Sequence, residues 1–513
     1  MPEAFGRGFV DVNACFGPEH GTAGTADASL STLVAERRSH GIRLSLAYSL
    51  LAEASDRLTG NPVAYEAATE PSIGVAPISV VSARRTGDAG RAVAEAERCG
   101  AVGYRLEGWS GGAPVSEAVR EVLAAVASTG RPLLVPLRWN GGISGVGEAS
   151  AIGAATADLG IAVILVGAHY NHIVDDLAAA RRYLHLHLET SAMGHFRAIE
   201  TAVAAVGAER ILLGTGSPRR PAASAIDAVL CAAIPDGAKR AILAGNATRL
   251  FGLDGAGGPV DLTPPRMPAR ALDVHTHFGP FDFDVPEVSD AELLGALRTP
   301  PTGAAVASAA VGIFGDPARG NEQAVRAVGE SRASAQLAYV VADPRDVAFS
   351  RDQLDRYLGR SGVAGVKVHG QLSGVPTATR AMAALFDLLA DYGRPVKIHN
   401  EGDGWDVALL EVARAHPRLP IVVAHSGLGT PSEAAGRIAA STDNVYLELS
   451  SSFASLAEVR RAVSIAPPDR VLWGSDAPLL EPAYVLGTYE DAGIAADQLE
   501  RVFWSNAAEL FGL

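Results

Sequence analysis

The chain has 513 residues, of which 48% are hydrophobic and 19% charged, and its formal net charge is −14. Disorder over most of the chain is excluded, because disordered segments combine low hydrophobicity with high charge. An acidic chain without a basic run is also a poor candidate for binding nucleic acid or an anionic membrane. Since one hydrophobic core stops growing at about 250–300 residues, we expect two domains.

The cysteines and the lengths of the apolar runs indicate the cellular compartment of the protein. Cys15, Cys99 and Cys231 are far apart and form no CxxC motif, which argues against a disulfide framework and a thiolate zinc site. No run of 18 or more apolar residues occurs, and the first residues lack the pattern of a signal peptide. We therefore predict a cytoplasmic protein with no membrane partner.

A repeat divides the chain into two copies. NAAELFGL at the end of the chain matches NATRLFGL near the middle, and LDVHTHFGP matches VDVNACFGP. VLWGSDAP, GRPVKIHN and GVKVHG likewise match ILLGTGSP, GRPLLVPL and GYRLEG, in the same order and at nearly the same spacing. We place the first copy at 1–254, a Gly- and Pro-rich linker at 255–269 and the second copy at 270–513.

Each copy alternates short apolar runs with longer segments of helical periodicity. The strand-like runs of the second copy are ALDVHTH, GAAVASAA, LAYVVA, GVKVH, PVKIH, IVVAH, VYLELS and VLWGSD. Strands that alternate with helices predict βαβ units and a parallel sheet. Eight units in this length predict an α/β fold of two tandem (β/α)8 TIM-like barrels. A doubly wound open sheet is the alternative, but no Gly-rich phosphate loop follows the first strand.

Polar side chains fall at the ends of the predicted strands in the second copy. His275 and His277 close strand 1, and residues at i and i+2 share one face of a strand. The others are His369 on strand 4, His399 on strand 5, His425 on strand 6 and Asp476 on strand 8. Active sites of barrels lie at this edge, and imidazole with carboxylate suits Zn²⁺ or a similar transition metal. His369 either contacts substrate or forms a structural hydrogen bond.

The motifs DVHTHFGP, GVKVH, PVKIHN, VVAHSG and LWGSDAP, in this order, resemble the amidohydrolase superfamily, in particular its amidohydrolase-2 branch of metal-dependent hydrolases and decarboxylases. The resemblance covers the whole second copy. It implies four metal ligands, His275, His277, His399 and Asp476. It also implies that His425 works beside a metal-bound water and that Asp476 shares in proton transfer. We expect one Zn²⁺, or Mn or Fe, per chain in the second barrel.

Two lysines, Lys367 and Lys397, lie two residues before His369 and His399. We expect a layer of ion pairs beneath the metal, formed by these lysines with Asp273 and Glu448. Lys367 has a second interpretation, since in some branches of the superfamily a lysine on strand 4 is carbamylated and bridges two metal ions.

The first copy has lost every predicted ligand. His275 and His277 become Asn13 and Cys15, and the others become Pro136, Gly167 and Gly216. In the layer beneath, Lys397 becomes Leu134 and Glu448 aligns with His187. Proline and glycine offer no side-chain ligand, so we predict a degenerate barrel with a structural or substrate-gating role.

The leading prediction is a metal-dependent hydrolase that cleaves an amide, ester or lactone of a small molecule through a metal-activated water. The alternatives are a non-oxidative decarboxylase of a small carboxylic acid and a non-enzymatic binding or scaffold protein. Asn400, Glu401 and Trp405, which follow strand 5, are candidate substrate contacts together with His369. The loop 278–290 is a further candidate, and the sequence leaves open a homo-oligomer.

Overall fold

The structure is a computed structural model that describes residues 6–17, 28–54, 57–84, 88–109, 115–137, 147–253, 258–266, 268–281, 303–330 and 336–513. The chain forms two compact units, Met1–Pro265 and Arg266–Leu513. The predicted linker spans the sequence boundary between them, and part of it, with most of the loop 278–290, lies outside the described residues. No helix in the described ranges is long and apolar enough to cross a membrane.

The first unit contains eight strands that pair in chain order, every pair parallel. They are β1 (Phe9–Phe16), β2 (Ile42–Ser49), β3 (Val75–Ser82), β4 (Gly103–Glu107), β5 (Leu133–Pro136), β6 (Val163–Val166), β7 (Leu186–Glu189) and β8 (Ile211–Leu212).

The helices of the first unit lie between and after these strands. They are α1 (Leu30–Ser39), α2 (Leu50–Ala54), α3 (Arg57–Ala67), α4 (Ala89–Arg98), α5 (Glu117–Ala127), α6 (Glu148–Thr156), α7 (Ile173–Arg182), α8 (Ala198–Val206), α9 (Ala222–Cys231), α10 (Asp236–Arg240) and α11 (Asn246–Leu250).

The second unit repeats this topology with eight strands, again parallel and paired in chain order. They are β9 (Leu272–Phe278), β10 (Ala304–Ala309), β11 (Gln336–Val341), β12 (Val363–His369), β13 (Val396–His399), β14 (Ile421–Val423), β15 (Val445–Glu448) and β16 (Val471–Leu472). All eight predicted strand segments of the second copy therefore contain strands.

The described helices of the second unit alternate with its strands. They are α12 (Ala310–Phe314), α13 (Pro317–Glu330), α14 (Val347–Tyr357), α15 (Gly370–Ser373), α16 (Arg380–Tyr392), α17 (Trp405–Ala415), α18 (Glu433–Ser441), α19 (Leu456–Ile465), α20 (Pro482–Asp491) and α21 (Asn506–Phe511).

Backbone hydrogen bonds join the first strand of each unit to the segment that follows its last strand. The Val12 amide donates to the Leu213 carbonyl at 2.8 Å, and the Val274 amide donates to the Trp473 carbonyl at 3.0 Å. The predicted fold of two tandem (β/α)8 barrels is thereby confirmed. Apolar strand residues such as Val12 and Val274 are fully buried, because strands covered by helices are buried on both faces.

The repeated sequence NAxxLFGL has the same function in both units. The side-chain amide of Asn246 donates to the carbonyls of Ala208 and Ile211, each at 2.7 Å. Asn506 donates in the same way to Pro468 and Val471, each at 2.9 Å. A five-residue π-helical turn precedes each asparagine. The last helix of each barrel is therefore fixed to the start of its eighth strand.

Candidate metal centre

The side chains of the predicted site meet at the carboxyl ends of the strands in the second barrel. His275 and His277 lie two residues apart on one face of β9 and are 1% and 5% exposed. His369 and His399 end β12 and β13, where they are register partners, and their rings stack at 4.1 Å between centroids. The parallel register of adjacent strands brings together residues that are far apart in the sequence.

His425 and Asp476 lie just beyond their strands rather than at the last strand residue. His425 stands in a short turn, Ala424–Ser426, after β14, and Asp476 follows β16 by four residues. Both have left-handed backbones, with φ of 57° and 61°. Non-glycine residues in this region cost about 1–3 kcal/mol each and cluster at functional sites. The sequence pattern identified the residues, but only the structure shows this conformation.

Three imidazoles have their Nδ1 atoms held by neighbours outside the cluster. His275 Nδ1 lies 2.7 Å from Glu448 Oε1, and His425 Nδ1 lies 2.8 Å from the Ser450 carbonyl oxygen. Because these oxygens accept, the Nδ1 atoms carry protons, which leaves the Nε2 atom of each ring for another partner. His277 Nδ1 is 2.8 Å from Ser308 Oγ.

The Nε2 atoms converge on one carboxylate. Asp476 Oδ1 lies 3.1 Å from His277 Nε2 and 3.3 Å from His275 Nε2. His275, His425 and Asp476 each offer a ligand atom, and these three atoms lie within 4.8 Å of one another. His399 is adjacent to this group, with its ring centroid 4.9 Å from that of His425.

The electrostatics of this cluster favour ligand-competent protonation states. Burial lowers the pKa of His275 and of His277, so the imidazoles are neutral. Burial alone would raise the pKa of Asp476, but the hydrogen bond from His277 and the nearby His425 hold it below its ordinary value. Imidazoles whose Nδ1 atoms are held by other residues, together with an ionised carboxylate, fit a divalent transition metal, which would take the Nε2 atoms as ligands in place of their present contacts to Asp476 and Lys367.

The predicted ion-pair layer is confirmed for one lysine and wrong for the other. Lys397 Nζ lies 3.4 Å from Glu448 Oε1, and both side chains are fully buried. Lys367 Nζ instead approaches His275 Nε2, at 3.2 Å, and no carboxylate of a described residue lies within 4.0 Å of it. Burial and the neighbouring Lys397 lower the pKa of Lys367 to about 7, which reduces the cost of leaving it without a counter-ion. Asp273 accepts from the backbone amides of His275 and Ser475, each at 3.0 Å.

Glu448 is the central buried acceptor beneath the histidines. Its Oε1 accepts from the His425 amide at 2.7 Å and from His275 Nδ1, and its Oε2 accepts from the Ser450 amide at 2.9 Å. Lys397 supplies the positive charge that compensates its burial. Glu448 therefore orients one predicted ligand through its ring and positions His425 through its backbone.

Two further partners were missed in the sequence. Ser308, the hydrogen-bond partner of His277, is the only polar residue of the apolar segment GAAVASAA, which is a signal that could have identified it. Ser450 contacts His425 Nδ1 through its carbonyl oxygen at 2.8 Å and through its hydroxyl at 3.2 Å, and the carbonyl contact has no signal in the sequence.

The predicted substrate contacts lie at the same rim with partners of their own. Asn400 is buried, with its Oδ1 3.3 Å from Thr377 Oγ1, and the Glu401 amide donates to the same hydroxyl at 3.0 Å. Trp405 is the first residue of α17 and is buried. His369 accepts from the Leu372 amide at 3.2 Å and so begins α15. Their roles toward substrate stay predictions.

The first barrel keeps the frame of the site without its ligands. The Gly216 amide donates to the Asn13 carbonyl at 2.8 Å, as the Asp476 amide does to the His275 carbonyl at 2.7 Å. Gly167 donates its amide to Glu189 Oε1 at 2.8 Å, which reproduces the bond from His425 to Glu448. Glu189, and not His187, therefore occupies the position of Glu448. The predicted alignment of Glu448 with His187 was wrong, because the true counterpart lies two residues further along β7.

The histidine pair in the sequence YLHLHLE has local partners in the structure. His185 Nε2 lies 2.8 Å from Thr156 Oγ1, and His187 Nδ1 lies 3.1 Å from the His185 carbonyl oxygen. Neither histidine belongs to a group of three possible metal ligands among the described residues.

Glycine replaces both left-handed residues of the site in the first barrel. Gly167 and Gly216 have φ of 90° and 68°, where His425 and Asp476 stand in the second barrel. Glycine adopts such angles without the steric cost of a side chain. In the second barrel, the same backbone is kept at a cost in free energy.

The left-handed backbone at Asp476 predicts the relative stability of two variants at this position. In metal-free protein, Asp476→Gly is expected to be more stable than Asp476→Ala by about 1 kcal/mol, because alanine at φ 61° keeps the left-handed strain. Urea unfolding of the two variants measures the difference. The ordinary order, with alanine more stable than glycine, would contradict the assignment of strain to this position.

Comparison with protein families identifies both barrels. The family model described as Amidohydrolase (Amidohydro_2) matches residues 78–253 and 272–513, which together make up more than half of the chain. The two matched regions fall in the two units and are consistent with tandem duplication. A search of curated proteins gives no match.

Several solved structures are similar to about half of this chain. A 5-carboxyvanillate decarboxylase from Sphingomonas paucimobilis has 15% identity and a TM-score of 0.37, with 48% of this chain and 99% of that one covered. A dihydroxybenzoic acid decarboxylase from Polaromonas sp. JS666, with manganese and 2-nitroresorcinol bound, has 16% identity and a TM-score of 0.37, with 47% and 97% covered. A provisionally named 2-pyrone-4,6-dicarboxylic acid hydrolase from Pseudomonas putida has 17% identity and a TM-score of 0.38, with 49% and 99% covered.

The family match confirms the resemblance seen in the motifs of the second copy. The match also includes residues 78–253 of the first copy. The chain belongs to the amidohydrolase family.

Proposed function

We propose that the second barrel is a metal-dependent hydrolase that cleaves an amide, ester or lactone of a small molecule. The convergence of His275 and His277 on Asp476 through their Nε2 atoms, with each Nδ1 held by another residue, carries this proposal. The proposed ligands are His275, His277, His399 and Asp476. The proposed ion is one Zn²⁺, Mn or Fe per chain. A divalent ion in this position acts as a Lewis acid and activates a water molecule for attack.

The residues of the chain supply the proton transfers. Asp476 is buried and ionised, so it accepts a proton from the attacking water and delivers it to the leaving group. His425 donates its Nδ1 proton to the Ser450 carbonyl, and in the neutral form of a ring with this tautomer the acceptor lone pair lies on Nε2. This tautomer suits a role in holding the water better than a role in polarising the scissile carbonyl, which requires a donor.

The chemical state of Lys367 distinguishes a site with one metal ion from a site with two. Its Nζ lies 3.2 Å from His275 Nε2, and the reduced pKa leaves part of the amine neutral at pH 7. A neutral lysine can react with carbon dioxide, so a carbamylated bridge stays the alternative to the single-ion proposal. Metal content near two per chain that depends on bicarbonate would support the bridge.

A decarboxylase is the second candidate, because one positive side chain lies beside the site. Arg345 and His369 line the same small pocket near the ends of β11 and β12. Asp343 holds the guanidinium through Nε at 2.9 Å and Nη2 at 2.7 Å, which leaves Nη1 available to a substrate carboxylate. In this reaction the carboxylate of the substrate would be released as carbon dioxide.

A direct assay tests the hydrolase proposal. Purified full-length protein is expected to contain about one transition-metal ion per chain, lose activity with a chelator and regain it with Zn²⁺ or Mn²⁺. A screen of small amides, esters and lactones should release acid, measured by titration, while trapped carbon dioxide measures decarboxylation. Carbon dioxide release without hydrolysis would replace the first candidate by the second. Metal-free protein with no activity in either screen would support the scaffold hypothesis.

A further inference from the structure

Buried polar atoms without partners collect at the carboxyl ends of the strands in the first barrel. Among the described residues, the atoms Arg105 Nη1, His172 Nε2, His195 Nδ1 and Ser217 Oγ are buried and have no hydrogen-bond partner. Arg105 lies in β4, and the other three follow β6, β7 and β8. An unsatisfied buried polar group costs about 1–3 kcal/mol, so a bound molecule is the natural partner for several of them.

Arg105 is the most strongly constrained of these groups. Its Nη2 donates to Glu53 Oε1 at 2.6 Å and its Nε to Glu107 Oε1 at 3.0 Å, while the guanidinium lies over the Tyr48 ring at 4.3 Å. These contacts leave Nη1 as the spare donor of a rigid, 5%-exposed group. Arg219 binds the other oxygen of Glu53 at 3.3 Å, so two guanidinium groups share that carboxylate.

A third arginine occupies the space of the lost catalytic carboxylate. A Cβ atom on Gly216, the counterpart of Asp476, would lie only 3.0 Å from Cδ of Arg220. The Arg220 Nη1 donates to the Ser191 carbonyl at 3.2 Å. The second barrel has Leu480 at this position, 260 residues later, and it is buried. The first barrel has therefore exchanged a negative side chain for a permanent positive one.

Most carboxylate oxygens of this region already accept hydrogen bonds, although Asp176 Oδ1 is buried without a partner among the described residues. Asp11 accepts from the amides of Asn13 and Thr215, each at 3.0 Å, and Glu189 accepts from Gly167 and Ser191. Asp176 holds His172 Nδ1 at 2.7 Å, which leaves Nε2 as the free nitrogen of that ring. An incoming anion would thus meet arginine, hydroxyl and imidazole groups.

We propose that the first barrel binds a small carboxylate at this face, between Arg105, Arg220 and Ser217. A carboxylate offers two planar acceptor oxygens, which guanidinium groups bind in preference to neutral acceptors. The loss of the metal ligands has then converted a metal site into an anion site. This function lies on a different barrel from the proposed hydrolase and does not depend on it.

Calorimetric titration of the full-length protein with benzoate tests the proposal. One benzoate site is expected to persist in Asp476→Asn, which alters only the second barrel. Ser217→Ala should weaken this site about tenfold, because it removes one hydrogen bond to a charged group. Arg220→Leu should weaken it at least as much, because it removes a fixed cation. Neutral benzamide should bind at least tenfold more weakly than benzoate.

The two substitutions in the first barrel are chosen so that the variants should still fold. Ser217→Ala and Arg220→Leu introduce the residues Ala477 and Leu480 that the second barrel buries at the same positions. Thermal unfolding checks that both variants are folded. Binding of benzoate that survives both substitutions unchanged, or that disappears in Asp476→Asn, would overturn the proposal. So would equal affinity for benzamide, or no binding of benzoate by the unaltered protein.

Discussion

His275→Asn is expected to remove the metal and to reduce activity by about a thousandfold or more, since a Lewis acid contributes several kcal/mol to such reactions. His275 contacts both Asp476 and Glu448, and it is 1% exposed, so its imidazole is held at the centre of the cluster. Asparagine reproduces the residue of the first barrel, Asn13, at the equivalent position of its first strand. The shorter amide lacks the imidazole Nε2 that faces Asp476.

Metal analysis and the activity assay together measure this effect, and Asn13→Ala is the matched control. The control changes the equivalent position of the barrel that has no ligands, so metal content and activity should stay at the level of the unaltered protein. Full metal content in His275→Asn would contradict the proposed ligand set. Equal losses in both variants would instead indicate that the first barrel takes part in the chemistry.

Glu448→Gln is expected to have the largest effect on stability. The substitution removes the only carboxylate within 4.0 Å of Lys397 among the described residues, and a buried charge without its partner costs about 3–5 kcal/mol. The new amide keeps one acceptor oxygen, so its NH2 group must face either the Ser450 amide or the His425 amide and His275 Nδ1, all of which need an acceptor. Glu448 also orients the proposed ligand His275 through a hydrogen bond, so metal affinity should fall by about 10–100-fold.

Urea unfolding of metal-free protein separates the stability effect from metal loss. Glu189→Gln is the matched control, because Glu189 makes the same backbone contacts in the first barrel, but β5 carries Leu134 where β13 carries Lys397. We expect it to cost about 1–3 kcal/mol, the cost of impaired buried hydrogen bonds. Equal destabilisation by the two substitutions would show that the ion pair with Lys397 contributes nothing.

The fold and a set of candidate site residues could be predicted from the amino-acid sequence. Alternating apolar runs and helical periodicity predicted eight strands per copy, and parallel strands linked by helices close only in a few ways. The residues His275, His277, His425 and Asp476 could be named because barrel sites lie at strand ends. The motif repeats also showed which of the two copies had lost its ligands.

The contacts that hold these residues could be seen only in the folded chain. The Nδ1 partners Ser308 and Ser450 belong to other strands or loops, and their contacts depend on register between segments far apart in the chain. The same register joined Lys397 to Glu448 and left Lys367 beside His275, although both lysines precede a histidine by two residues. A sequence pattern specifies the face on which a side chain lies. It does not specify the distance to a partner, because that distance depends on how the strands tilt and stagger around the barrel.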